Sequence, residues 1–173
     1  MSYEWIAILM FSSIAKGPKD SPATPQPTAF IAAGFLFGPA RIIEDVPYDP
    51  HIYFQGEEIT LATRLWTHGW DLFSPSRVVI YHDYTNRADR VRHWKDDVDW
   101  GKLNQRSMAR VRHLLGVEPC DDPEALVALD QYGLGDVRTL ADYEAFSGID
   151  FANQSIHGKR AKGPAAQGAP EET

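Results

Sequence analysis

The segment that follows Gly56 sets the strongest constraint on how this chain can fold. Its apolar residues recur at the spacing of one helix face, and Gly69 follows as a stop signal. These apolar residues are Ile59, Ala62, Leu65 and Trp66. The pattern predicts a helix of about three turns. Glu57 and Glu58 fall in its first turn, where the helix dipole favours negative charge.

Two apolar runs flank this helix and predict the sheet on which it packs. Residues 29–38, AFIAAGFLFG, are continuously apolar, which is typical of a strand buried on both faces. Residues 77–84, RVVIYHDY, predict a second buried strand that ends near His82. We therefore expect the helix to pack on a sheet that contains the strands near 30–37 and 77–82.

Further helices are predicted downstream of the second run. Residues 86–115 form a long helical stretch that includes the Asp-x-Asp of Asp97 and Asp99, which we interpret as a solvated helix face. Thr139 and Asp142 have the spacing of a capping box for a short helix. The sequence thus predicts an α/β fold in which helices flank a mixed sheet.

The composition favours a single domain. The 173 residues are 43% hydrophobic, which suffices for one core, and no apolar stretch approaches the length of a membrane span. A net charge of -7 argues against a general binder of nucleic acids or membrane surfaces, because both partners require a positive field. The single cysteine, Cys120, fits a reducing compartment. We expect a cytoplasmic protein without a membrane partner, with one domain over residues 1–156 and a disordered tail over 157–173.

Two places in the predicted fold carry residues suited to chemistry. Ligands of open α/β sheets gather where strands end and helices begin, which points to the Gly56–Glu58 turn and to His82. A glutamate there can accept a hydrogen bond from a substrate hydroxyl, and a neutral histidine can bind a divalent metal. The structural alternatives are glutamates that only stabilise the helix and a histidine with an ordinary structural partner.

Several motifs occur in a fixed order along the chain: PYDP at 47–50, YFQGEE at 53–58, RLWTHG at 64–69 and IYHDY at 80–84. Together with HWKDD, RVRHLLG and GLGDVRTLADYEAFSGIDF, they resemble the second half of the catalytic domain of Skp1-type polypeptide N-acetylglucosaminyltransferases. The mucin-type polypeptide GalNAc-transferases are similar at a greater distance. The resemblance covers residues 29–151. It implies a GT-A glycosyltransferase that uses UDP-GlcNAc and a divalent cation, Mn²⁺ or Mg²⁺, to modify a hydroxyl on a protein or glycan acceptor.

The resemblance also implies roles for individual residues. His82 matches the histidine that completes the metal site, and Arg87 lies where a basic residue reaches the diphosphate. Gly34 and Phe35 match the strand that lines the sugar pocket. Trp94 belongs to a segment that closes over the substrate.

The loop of Gly56, Glu57 and Glu58 matches the one that meets sugar and acceptor. In an inverting enzyme Glu58 occupies the position of the catalytic base. In a retaining enzyme, which is how the Skp1-type family is understood, both glutamates orient hydroxyl groups. The sequence leaves these two roles open.

One part of the GT-A pattern has no counterpart in the sequence. The earlier half of that fold holds a Rossmann-like unit and an Asp-x-Asp or Asp-x-His metal motif, and neither is visible here. We expect an incomplete GT-A domain whose nucleotide-binding half is missing. Such a chain would be inactive, would self-associate, or would need a partner that supplies the other half.

Two other functions remain as alternatives. Residues 86–115 hold eight Lys or Arg against four Asp, so this basic helical segment could be a binding module for an acidic protein or, less in keeping with the overall charge, for nucleic acid. A metal hydrolase built on Glu57, Glu58, His82 and Asp83 is the other alternative. It is disfavoured because zinc hydrolases usually draw three protein ligands from recognisable spacings.

Overall fold

The computed structural model describes residues 23–80 and 97–157, together with the backbone of 159–160. Its helices are α1 (Arg41–Asp45), α2 (Glu57–Thr67), α3 (Trp100–Leu114), α4 (Leu129–Tyr132) and α5 (Leu140–Ser147). Its strands are β1 (Gln26–Pro27), β2 (Phe73–Ser74), β3 (Ile149–Asp150), β4 (Ser155–Ile156) and β5 (Lys159–Arg160). Strands β1 and β2 pair antiparallel, and β3, β4 and β5 form a second antiparallel sheet in that order. The predicted α/β content is confirmed.

Helix α2 forms where the sequence predicts it and is more deeply buried than its pattern indicates. Gly56 begins it in the left-handed region at φ 89°. Besides its apolar residues, the helix buries its three threonines. Their hydroxyls donate to carbonyl oxygens one turn earlier: Thr60 to Gly56 at 2.7 Å, Thr63 to Ile59 at 2.8 Å and Thr67 to Thr63 at 2.9 Å. These bonds allow polar residues to face the interior without unpaired groups.

Two apolar clusters each include residues of α2. Ile59 joins the first, whose buried members are Ala29, Ile52, Ile59, Met108, Val111, Leu115, Tyr143, Ile149 and Phe151. Leu61, Ala62 and Leu65 join the second, which also contains Val46 and Leu72. Helix α2 is therefore shared by both halves of the core. The predicted layer of sheet against this helix is replaced by helices, loops and short strands.

Neither predicted buried strand is formed within the described residues. Residues 29–38 follow a turned path, in which the Phe35 amide donates to the Ala32 carbonyl at 3.2 Å, and Phe37 is 89% exposed. Residues 77–80 have no strand pairing, and Val79 and Ile80 are more than half exposed. A continuous apolar run becomes a buried strand only when neighbouring strands pair with it on both sides. Within the described residues neither run has such a neighbour, and residues 81–82 lie outside them.

The downstream helices follow the predictions in part. Helix α3 begins only at Trp100, so the Asp-x-Asp lies before the helix and not on its face: the Asp99 amide donates to the Asp97 carboxylate at 2.9 Å. Residues 86–96 of the predicted stretch lie outside the described residues. The capping box of α5 is confirmed, because Thr139 and Asp142 exchange the expected side-chain and backbone hydrogen bonds.

The domain boundary and the disordered tail stay predictions. Strand β5 lies inside the predicted tail and pairs with β4, while residue 158 and residues 161–173 are not described. Among the described residues, no helix has both the length and the apolar character that crossing a membrane requires.

A buried ion pair ties helix α3 to the loop that precedes α2. The Arg110 guanidinium donates to the Asp49 carboxylate at 2.7 Å, and their side chains are 0% and 4% exposed. Arg110 also donates to the carbonyls of Ala125 at 2.9 Å and Val127 at 2.8 Å. A second buried arginine, Arg64 of α2, donates to the Pro47 carbonyl at 2.8 Å. The fold thus uses two charged groups, taken fully out of water, to hold one short loop.

Replacing Arg110 with Met should lower the free energy of unfolding by about 3–5 kcal/mol, because Asp49 would remain buried without its counter-charge. Arg106 lies one turn earlier on the same helix and pairs with Glu124, where both side chains are well exposed. The matched change Arg106→Met should cost no more than about 1 kcal/mol. Urea unfolding of both variants measures the difference. Equal costs would contradict the structural role given to Arg110.

Candidate active site

One hydrogen bond joins the turn around Ala33 to the first turn of α2. The Ala33 amide donates to a carboxylate oxygen of Glu58 at 2.7 Å. Gly34 and Phe35 follow directly in the exposed turn. The residues expected to line a sugar pocket and one of the two glutamates therefore lie side by side, although residues 29–38 are not a strand.

Gly56 allows the start of α2 to lie close to helix α3. A Cβ atom at Gly56 would lie 2.6 Å from Cγ2 of Val111, and the residue has a positive φ of 89°. The chain before it is also held by α3, because the Tyr53 amide donates to the Ser107 hydroxyl and Asn104 donates to Gln55 at 3.3 Å. Only glycine combines this conformation with this approach.

Gly56→Ala should lower the free energy of unfolding by about 2–5 kcal/mol. The left-handed conformation costs a residue with a Cβ about 1–2 kcal/mol. Overlap with Val111 adds about 1–3 kcal/mol. Gly101 in α3 provides the control, since a Cβ there would meet no atom within 4 Å and Gly101→Ala should be neutral or stabilising by up to about 1 kcal/mol. Thermal unfolding of the two variants measures the difference. Equal changes in melting temperature would contradict the role given to Gly56.

Glu57 lies in a partly buried crevice beside Tyr48. Tyr48, Asp49, Thr60 and Arg64 line this crevice together with Glu57. Burial raises the pKa of Glu57, the neighbouring Tyr48 hydroxyl opposes this, and the charge of Glu58 raises the pKa further. Burial and the nearby glutamates also raise the pKa of Tyr48, so the phenol stays protonated.

The raised pKa of Glu57 predicts a stability that falls as pH rises. The folded protein binds this proton more tightly than the unfolded chain, so the contribution is full below the ordinary pKa of 4.5 and is lost as pH rises through the folded pKa. Glu57→Gln should remove this dependence. Urea unfolding over a pH series should show wild type losing stability relative to the variant within that window, and a constant difference would contradict the prediction.

The comparison with protein families identifies the chain. The family model for glycosyltransferase (GlcNAc) matches residues 6–153. The chain belongs to this family. No curated protein and no solved structure matches it.

Three of the site residues expected in this glycosyltransferase cannot be placed. His82, Arg87 and Trp94 lie outside the described residues. Among the residues that are described, no group of three or more His, Cys, Asp or Glu side chains is arranged to hold a metal ion. The predicted metal and diphosphate contacts of the glycosyltransferase therefore stay predictions.

The structure adds residues that the sequence pattern missed. Arg64 has the position of a residue that stabilises the end of α2 through the helix dipole, yet it is 1% exposed and binds Pro47 across the core. Tyr48 belongs to a proline-bounded turn and lies beside Glu57 in the crevice. The PYDP motif could have indicated these contacts, because it places two polar residues, Tyr48 and Asp49, between prolines shortly before the glutamate loop.

Residues 86–115 form the basic segment of the binding-module alternative. In the described part, 97–115, its positive charges are paired with carboxylates. All four Lys and Arg side chains of 97–115 pair with carboxylates: Lys102 with Asp99, Arg106 with Glu124, Arg110 with Asp49 and Arg112 with Glu118. Cations engaged in this way offer less charge to a phosphate backbone. Binding of nucleic acid or of an acidic protein by this glycosyltransferase is otherwise untested.

Proposed function

We propose that this glycosyltransferase transfers N-acetylglucosamine from UDP-GlcNAc to a hydroxyl group of a polypeptide or glycan acceptor, on a GT-A type catalytic domain of the Skp1 type. The observation that carries the proposal is the meeting of Glu58 with the Ala33–Phe35 turn, in a chain of the GlcNAc glycosyltransferase family. The single cysteine supports a cytoplasmic setting.

The two glutamates are suited to hydroxyl groups on the acceptor and the sugar. One oxygen of Glu58 accepts the Ala33 amide, and an ionised carboxylate has further acceptor sites for a substrate hydroxyl. Glu57 has a raised pKa, which brings it closer to the range in which a carboxylate exchanges protons efficiently. In an inverting reaction one of them would remove the acceptor proton. In a retaining reaction both would orient hydroxyls, and the anomer of the product distinguishes the two.

The exposed turn offers room for a sugar beside these carboxylates. Gly34 has no side chain, so the backbone can be approached closely, and Phe35 presents an aromatic side chain that is 48% exposed. An aromatic ring beside polar groups is a common lining for a ligand site. The donor sugar would contact this turn, with the acceptor hydroxyl near Gly56–Glu58.

A divalent cation, Mn²⁺ or Mg²⁺, would neutralise the charge that develops on the departing UDP. The described residues contain no suitable ligand cluster, so none of them is assigned to the metal. His82 as metal ligand, Arg87 at the diphosphate and Trp94 over the substrate are the residues proposed for the donor side.

Transfer of radiolabelled GlcNAc from UDP-GlcNAc to hydroxyproline-, serine- and threonine-containing peptides, with Mn²⁺ and with chelator, tests the function. We expect metal-dependent transfer by the wild-type chain. Glu57→Gln and Glu58→Gln should each reduce kcat/KM, and the one that serves as a base should lose about 10²–10⁴-fold.

Glu118→Gln is the matched control, because Glu118 pairs with Arg112 on the surface and lies away from the glutamate turn in sequence. It should retain wild-type activity. Titration of UDP-GlcNAc into wild type and His82→Ala by calorimetry tests the donor site separately. Absence of both donor binding and transfer would reject the proposed function for this chain alone.

A further inference from the structure

The turn of residues 33–35 belongs to a segment that has no strand partner among the described residues. Phe30 and Ile31 pack against the two apolar clusters of the core. Apolar contacts are not directional, so they bury the segment without fixing the position of its backbone. Directional bonds from other elements are needed to place the turn.

Two such bonds reach the segment. The Tyr143 hydroxyl of α5 donates to the Ala29 carbonyl at 2.6 Å. Further along the segment, the Ala33 amide donates to the Glu58 carboxylate of α2 at 2.7 Å. The chain that leads into the turn is therefore held at both ends, by side chains from two different helices.

Tyr143 is itself held in a fixed position. It is 0% exposed, its ring stacks on Phe151 with centroids 6.1 Å apart, and it meets Trp66 edge-on at 6.3 Å. Helix α5, which carries it, starts at the capping box of Thr139 and Asp142. A buried phenol usually finds a hydrogen-bond acceptor, and here the acceptor lies 114 residues earlier in the chain. A distant, rigid helix thus determines where the segment enters the site.

We infer that Tyr143 is a positioning residue of the glycosyltransferase, which holds the turn of residues 33–35 where that turn meets the donor sugar. The inference rests on the proposed function, in which the sugar of UDP-GlcNAc contacts Gly34 and Phe35. Tyr143 lies in the core and acts on the sugar only through the backbone of Ala29.

Loss of the Tyr143 hydroxyl should be felt at the turn. It would remove a hydrogen-bond donor from the carbonyl of Ala29, a residue that is 6% exposed. A buried carbonyl that loses its donor is destabilised, so the backbone at Ala29 should shift toward water or another donor. The turn would then depend on Glu58 for its place beside α2. Contacts with the sugar that exist in both the ground state and the transition state affect KM rather than kcat.

The test uses Tyr143→Phe in the full chain, with Ile149→Val as the matched control. Tyr143→Phe keeps the ring in the core and deletes only the hydroxyl. Ile149 belongs to the same buried cluster and is 2% exposed, so Ile149→Val perturbs the same core without removing the bond to Ala29. Both variants are assayed well below their unfolding temperatures.

The first measurement is the exchange of the Ala33 amide with solvent, followed by NMR. Glu58→Ala removes the acceptor of this amide and gives the exchange rate of a released turn. We expect Tyr143→Phe to speed the exchange by about 2- to 30-fold, toward that rate, and Ile149→Val to leave it unchanged. An unchanged rate in Tyr143→Phe would overturn the inference.

The second measurement is the kinetics of transfer. Tyr143→Phe should raise the KM for UDP-GlcNAc by about 2- to 30-fold, with kcat and the KM for the acceptor close to wild type. A purely structural role would instead reduce the folded fraction, which lowers kcat in both variants and leaves the KM for UDP-GlcNAc unchanged. That pattern would overturn the inference. Faster Ala33 exchange in Tyr143→Phe, when the wild-type chain neither binds the donor nor transfers sugar, would reject the proposed function and with it the role of Tyr143 toward the sugar.

Discussion

The buried pair of Arg110 and Asp49, together with Arg64, is the interaction on which the rest of the structure depends. It joins α3, α2 and the loop before α2 by hydrogen bonds to groups removed from water. Burial lowers the pKa of Arg64, the charge of Asp49 opposes this effect and the charge of Arg110 adds to it. Buried ion pairs seldom stabilise a protein more than apolar residues would. The hydrogen bonds of a guanidinium group are directional, so the two arginines fix the positions of particular carbonyl oxygens, which apolar packing cannot do.

The same helix pair sets the glutamate turn in place. Val111 of α3 lies where a side chain at Gly56 would be, and Ser107 and Asn104 hold the chain that leads into it. Helix α2 therefore starts at a position defined by packing and is held further along by Arg64. Both glutamates lie in the first turn of this helix, and residues further along it belong to two apolar clusters. The position of the first turn is therefore fixed by the packing of the rest of the helix.

Local signals in the sequence predict the helices, and contacts between distant residues explain what they miss. The glycines around α2 and the capping box of α5 act within a few residues, so both helices form as expected. Residues 29–38 do not form a strand, because a strand requires hydrogen-bonded neighbours from distant parts of the chain and a local pattern does not reveal them. The burial of Arg64 is not readable from a local pattern for the same reason, since its carbonyl acceptors at Pro47 and Gly133 are 17 and 69 residues away. In the candidate site, the family motifs lead to the glutamates, but the partner of each glutamate is visible only in three dimensions.

Those partners give the two adjacent glutamates different properties. Glu58 accepts a backbone amide from the Ala33 turn, so its first effect is to hold that turn beside the helix. Glu57 lies half-buried beside Tyr48, and burial raises its pKa. The two glutamates therefore differ in their surroundings: Glu58 joins two segments of the chain, whereas Glu57 lies in the crevice lined by Asp49, Thr60 and Arg64.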